Sequence, residues 1–441
     1  MRRTLRAIAV VPVTTVLIAA ALTSCSSSSS GSTAAKSKTL NVAYWDYGPA
    51  AEENNKSLAD GFKAENPGVT VDLTPIAGDN WGTYYANLAT LIASGKHPDL
   101  TFISSEGVKF LDQNNLVLPI NKYLKSDPDA AKIQADIAPG LLKSFAVGQD
   151  ITALPNGWND MVMYYNTDMF KKAGLPEPTA DWTWDEFEQT AKALTKDTNG
   201  DGKPDQYGFA WASNEIFPGI LPWVANSGGN LVSNDVCAAT ADSAPVTTAV
   251  TFLEKLIKEK AAAAPMPMSD IFTRFQAGQI AMFGAGRWPT ATFLPAGFKS
   301  FNIQLYPKGS TYQTVVGAAG YPILKSSKSP DLAWKFQKYS ASAAVQDSEI
   351  GTATKPRDSI PSLRSTADKT VTAGIPPASG QLFYDSVDKY TSLTPFPAPA
   401  KYSEYEATVL RYTQLIFGGK DSVAEGLAGM QKDLSAIVKC Q

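Results

Sequence analysis

At 441 residues, 44% hydrophobic and only 18% charged, the chain is long and apolar enough for two or three domains with sizeable cores. Its 42 acidic residues outnumber 39 basic ones, for a formal charge of −3, which excludes the basic footprint of nucleic-acid binding and charge-driven attachment to anionic lipid. One histidine and three cysteines leave little for zinc or Ser-His-Asp chemistry, and there is no Gly-x-Ser-x-Gly elbow, Cys-x-x-Cys pair or phosphate-cradling glycine loop.

Arg2, Arg3 and Arg6 make a positive start, and Ala7–Leu22 is an apolar run too short for a membrane span. The run closes on Leu22-Thr23-Ser24-Cys25, which resembles the bacterial lipobox. The resemblance implies that residues 1–24 are a signal peptide and that Cys25, once exposed, takes a diacylglycerol. An ordinary signal peptide or a retained anchor is the alternative. The Ser-rich stretch that follows makes residues 25–38 a flexible tether.

From Thr39 onward strand and helix patterns alternate. Thr39–Trp45 predicts a strand, Glu52–Glu65 a helix, Val69–Ile76 a strand, Trp81–Ser94 a helix and Leu100–Ile103 a strand, a βαβαβ opening. Strands at Ile151–Leu154 and Met161–Tyr165 flank a break at Pro155-Asn156-Gly157, and helices follow at Thr167–Ala173 and Thr183–Lys196. Thr183 and Glu186 fit a capping box, so Trp182 and Trp184 read as packing for a helix entry. Val246–Lys260 predicts a helix, Ile280–Phe283 and Phe301–Leu305 short strands, Thr314–Leu324 an extended stretch, and the chain from Pro330 is mostly helical.

Three local features stand apart. Cys237 and Cys440 are the only cysteines after Cys25, and an oxidising exterior would pair them most simply, against two separate thiols. His97 reads as a turn residue. Asp197, Asn199, Asp201 and Asp205 fall at positions 1, 3, 5 and 9 of a calcium-type loop with Gly202 at position 6, but Gly208 replaces the closing Glu. A structural calcium and a solvated Asp/Gly turn are both open readings.

The order of motifs resembles the extracellular solute-binding proteins of carbohydrate ABC transporters, the group that includes maltose-binding protein. The landmarks are Leu40-Asn41-Val42-Ala43-Tyr44-Trp45, Gly95-Lys96-His97-Pro98-Asp99-Leu100, Leu154-Pro155 before Tyr164-Tyr165-Asn166, and Thr183-Trp184-Asp185-Glu186-Phe187. Asn226-Ser227-Gly228-Gly229, Gly278-Gln279-Ile280-Ala281-Met282 before Gly286-Arg287-Trp288, and Ala333-Trp334-Lys335-Phe336 continue the series. The resemblance implies an α/β, two-lobe periplasmic-binding-protein-like fold of type II, with three hinge crossovers near Ala153–Gly157, Val315–Ala319 and Thr352–Pro356. One lobe then takes 39–153 with 319–353, and the other 157–315 with 356–441. It further implies no catalysis, a sugar ligand, ABC permease subunits as partners, and a monomer lipid-anchored on the outer face of the cell membrane.

A sugar has apolar C–H faces and a hydroxyl rim, so its site needs flat aromatic platforms ringed by polar groups. Loops at the expected cleft offer Trp45, Asp46 and Tyr47, then Ser105 and Glu106, then Trp158, Asn159 and Asp160, and in the other lobe Trp223, Arg287 and Trp288, with Tyr321 after the second crossover. Family members carry a cleft-lining aromatic at the position of Trp288, which makes it the leading candidate. No cofactor is required beyond the optional calcium. Two rivals remain: a secreted glycoside hydrolase using acids such as Asp46, Glu106 and Asp160, and the same fold holding a polyamine, peptide or organic anion.

Overall fold

The computed structural model describes residues 38–348, 358–366, 376–385 and 397–440. Cys25, the tether and the third expected crossover, Thr352–Pro356, lie outside them. Among the described residues, no helix is long and apolar enough to cross a membrane.

Strands β1 (Thr39–Asp46), β2 (Thr70–Ala77) and β3 (Leu100–Thr101) form a parallel sheet in the order β2-β1-β3. Parallel neighbours need a crossover, and the helices Pro49–Glu65 and Trp81–Ala93 supply it. The second of these is capped by Asn80, whose side chain accepts from the Thr83 amide. Strands β4 (Ile103–Ser104), β5 (Ala146–Val147) and β6 (Asp150–Ile151) follow; β5 and β6 make a small hairpin.

A second lobe is built on β8 (Val162–Asn166), β9 (Tyr207–Ala210), β10 (Ile280–Ala285) and β11 (Phe301–Gln304), in the order β11-β8-β10-β9. Strand β10 is buried along its whole length, as a central strand covered on both faces must be. An aromatic core fills the space beneath, where Trp184, Phe187, Phe209 and Phe252 surround Trp223 with ring centroids 5.1–5.7 Å from it. The capping box at Thr183 and Glu186 is present, and Trp182 donates to the Leu305 carbonyl at 2.8 Å, so both indoles serve packing.

Between the two sheet systems, β7 (Pro155–Asp160) pairs antiparallel with β12 (Val316–Gly320) on one side and β13 (Ile360–Pro361) on the other. The Pro155-Asn156-Gly157 break predicted from sequence is therefore strand, a correction with a plain cause. Turn-forming residues lose to pairing when partners on both sides take up the backbone groups. Helices Tyr402–Phe417 and Val423–Ile437 close the fold, and Cys237 is bonded to Cys440 with Cα atoms 4.2 Å apart, joining residues 203 apart in sequence.

Candidate ligand-binding cleft

The first wall grows from the end of β1. Trp45 packs at 4.4 Å from Trp81 and 5.5 Å from Tyr47, and its indole N–H donates to the Gly78 carbonyl at 2.7 Å. Trp81 in turn stacks on Tyr85 at 5.7 Å and lies 5.9 Å from Phe102. Trp45, Trp81 and Phe102 are half-buried and Tyr47 is 45% exposed, so this cluster offers ring surface to solvent while its inner rings are anchored in the core. Asp46 lies at its edge and accepts the Gly48 amide at 3.0 Å.

Strand β7 and the segments that meet it carry the next group. Asn159 accepts the Arg287 amide at 2.8 Å and donates to the Asp358 carbonyl at 3.4 Å. The Asp358 carboxylate accepts from Tyr47 at 2.5 Å and from Asn54 at 3.2 Å. Residues predicted from three distant segments thus meet in one polar chain through Asp358, which the sequence did not point to. Asp160 is fully buried and Arg287 nearly so, and both act on the buried Tyr164 hydroxyl. Burial pushes that hydroxyl far above the ordinary tyrosine range, Arg287 works against the shift, and Asp160 adds to it.

Two glycines let side chains approach the backbone here. A Cβ on Gly286 would stand 2.4 Å from the Trp288 ring and 2.9 Å from Asn159 Cβ, so the half-buried Trp288 ring lies directly against Gly286, beside Asn159 of β7. A Cβ on Gly317 would stand 3.1 Å from the Phe217 ring and 3.2 Å from Glu106 Oε1, which places Phe217 and Glu106 together against the face of β12 that Gly317 leaves open. Ser105 donates to Glu106 at 3.2 Å and accepts the Ala318 amide at 3.3 Å. Burial raises the Glu106 carboxyl above its ordinary value, against the hydrogen bonds it accepts.

A family model, bacterial extracellular solute-binding protein, matches residues 46–347. This chain belongs to that family. A relative from Brucella abortus, named only as a binding protein, is 27% identical over 310 residues, covering 66% of this chain and 69% of its own. An ABC substrate-binding protein of Listeria monocytogenes in complex with cycloalternan superposes with a TM-score of 0.79 at 21% identity, over 90% of this chain and 98% of its own. A solute-binding protein of Thermotoga lettingae bound to α-D-tagatose gives 0.77 at 22%, over 91% and 100%. The fold is accordingly the two-lobe type II architecture.

Within this solute-binding protein, three of the predicted aromatic ligand residues are enclosed by packing, and the predicted polar residues Glu106, Asp160 and Arg287 are buried as well. Trp223 has no exposed surface and belongs to the aromatic core described above. Tyr321 is 4% exposed, with its hydroxyl on Asn55 at 2.8 Å and its ring against Phe102 and Phe336. Trp158 is 5% exposed and its indole donates to the Pro361 carbonyl at 3.0 Å, so it ties β7 to β13 and presents no open face. Sequence position alone cannot tell a core ring from a platform, because both need the same residue type.

The Asp197–Asp205 loop is hydrogen-bonded within itself. Asp197 accepts the Gly200 and Gly202 amides, Asn199 that of Asp201, Asp201 that of Lys203, and Asp205 both the Thr198 amide and hydroxyl. These oxygens serve the loop's own backbone, and among the described residues no group of three or more acids, histidines or cysteines is arranged to hold a metal. His97 is exposed, in the irregular stretch between the helix Trp81–Ala93 and β3, past the turn at Ser94 and Gly95.

Proposed function

We propose that the protein captures a sugar or oligosaccharide between its lobes and delivers it to an ABC permease, anchored outside the cytoplasm through a lipid on Cys25. The observation that carries the reading is the half-exposed aromatic wall of Trp45, Tyr47 and Trp81, set beside the polar chain Tyr47–Asp358–Asn159 and the half-buried Trp288. Flat apolar faces ringed by hydrogen-bonding groups are what a pyranose needs. Membership of a solute-binding family and two sugar-loaded structural relatives support it.

Binding, with no bond broken, completes the proposal. Ligand bound only to the native state raises apparent stability, so a thermal-shift panel of mono- and oligosaccharides, polyamines, peptides and organic anions identifies the class. A sugar hit followed by no release of reducing ends supports capture. A hit confined to amines or anions, or turnover of a glycan, replaces it.

A further inference from the structure

Three segments meet where the lobes touch. Asn80, capping the helix Trp81–Ala93 of the first lobe, donates to the Asn214 carbonyl at 2.9 Å, and Asn214 returns a bond to the Asp79 carbonyl at 3.1 Å. Asn214 stands in the loop after β9 of the second lobe. Beside this reciprocal pair, the helix Tyr402–Phe417 sends Glu406 into the same seam. One carboxyl oxygen accepts the Gly82 amide at 2.7 Å, and the other accepts the Ile216 amide at 3.5 Å and the Tyr402 hydroxyl at 3.4 Å. Ser403 adds a bond to the Gly82 carbonyl at 2.7 Å.

We infer that Asn80, Asn214 and Glu406 form a clasp that holds the two lobes together across the cleft, and that pH sets its strength. The clasp depends on the two-lobe architecture and not on the identity of the ligand.

The charge environment gives the pH response. Glu406 is 1% exposed. The groups facing it are the Gly82 amide from the helix Trp81–Ala93, Glu215 and the Ile216 amide from the loop after β9, Glu106 beside β4, and Tyr402 and Tyr405 from its own helix. Among the described residues none of the three carboxyls is ion-paired with a lysine, arginine or histidine. Burial, then the neighbouring Glu215 and Glu106, push Glu406 up to about 8 against the two amides that it accepts. Burial alone lifts Glu215 to about 7.

Opening the seam would wet Glu406 and return it towards about 4.3, the ordinary glutamate value. The raised value means that the closed form holds the proton and the open form releases it. Closure is therefore fully favoured below about 4.3 and loses ground as pH rises to about 8. For one proton the open-to-closed ratio climbs by up to about tenfold per pH unit in that window.

The test is an interlobe distance, read by fluorescence energy transfer on the unliganded mature chain from pH 5 to 9. The wild type should open progressively as pH rises. Glu406→Gln should flatten most of that opening, leaving only the part due to Glu215, and Asn80→Ala should shift the balance to open at every pH while keeping the slope. If Glu406→Gln does not fold, Glu215→Gln should shrink the total change by removing a neighbouring charge. A flat wild-type profile, an undiminished slope in Glu406→Gln or Glu215→Gln, or an unmoved balance in Asn80→Ala overturns the clasp. A sugar panel without a hit would defeat the proposed ligand and leave these distances unaffected.

Discussion

At the scale of single residues, two tryptophans separate platform from core. Trp288 is half-buried against Gly286, and Trp223 is enclosed by five other rings of the second lobe, Tyr306 among them. Trp288→Ala should weaken sugar binding by about 30- to 1000-fold, the equivalent of roughly 2–4 kcal/mol, in calorimetric titration. The melt of the unliganded protein should move much less. Gly286→Ala should act in the same direction on binding, because its Cβ would stand 2.4 Å from the ring and push it aside. Trp223→Ala should reverse the pattern, costing about 3–5 kcal/mol of unliganded stability in denaturant unfolding. A Trp223→Ala protein that melts normally and loses only affinity would return this residue to the cleft. Sequence singled out Trp288 through a family motif, but Asp358, Asn80 and Glu406 carry no comparable local signal. Their roles arise from partners tens to hundreds of residues away.

At the scale of elements, the helix Trp184–Leu194 shows how local and tertiary terms combine. Thr183 and Glu186 cap its start, and Phe187, Ala191 and Leu194 bury one face. Glu188 on the same helix meets Lys192 at 2.6 Å and Lys255 of the neighbouring helix at 2.7 Å. Burial works to raise this carboxyl, and the two ammonium groups overcome it and hold it below the usual glutamate range. A lowered pKa contributes stability above about 4.3 that is lost as pH falls below it. Glu188→Gln should therefore lower stability near neutral pH by about 1–2 kcal/mol, between an exposed pair and a broken buried one, and should flatten the acid limb of the melting curve. An acid limb identical to wild type would remove Glu188 from the account. The helix was legible because its cap and apolar period lie within a few residues of each other, whereas the seam between β7, β12 and β13 was not.

At the scale of the whole molecule, one covalent bond and one proposed lipid attachment are open to test. The Cys237–Cys440 bond closes a separation of 203 residues and ties the end of the last helix back to the second lobe. Chain entropy gives it about 5 kcal/mol as an upper value, so reduction should lower the melting temperature clearly, with mass spectrometry before and after confirming the pairing. An unchanged melt after full reduction would show that packing alone holds this end. On the proposal that Cys25 carries a lipid, Cys25→Ser should move the protein from the membrane fraction to the surrounding medium without changing ligand affinity, since a Ser-rich sequence lies between Cys25 and the first strand. Retained membrane attachment would overturn the lipid assignment.

By itself the sequence determined the class of the molecule. Alternating strand and helix periods dictate parallel β-α units, the capping box marks a helix start, and motif order points to a two-lobe binding protein, because each of these signals is short-range or cumulative along the chain. Only the tertiary structure decided which rings face the cleft and which side chains cross it. Trp45 and Trp81 keep open surface while Trp223 and Tyr321 keep almost none, and Pro155–Asp160 is strand because β12 and β13 flank it. Exposure and strand pairing are set by what arrives from elsewhere in the chain, and residue type fixes only what a position can do once its neighbours are in place.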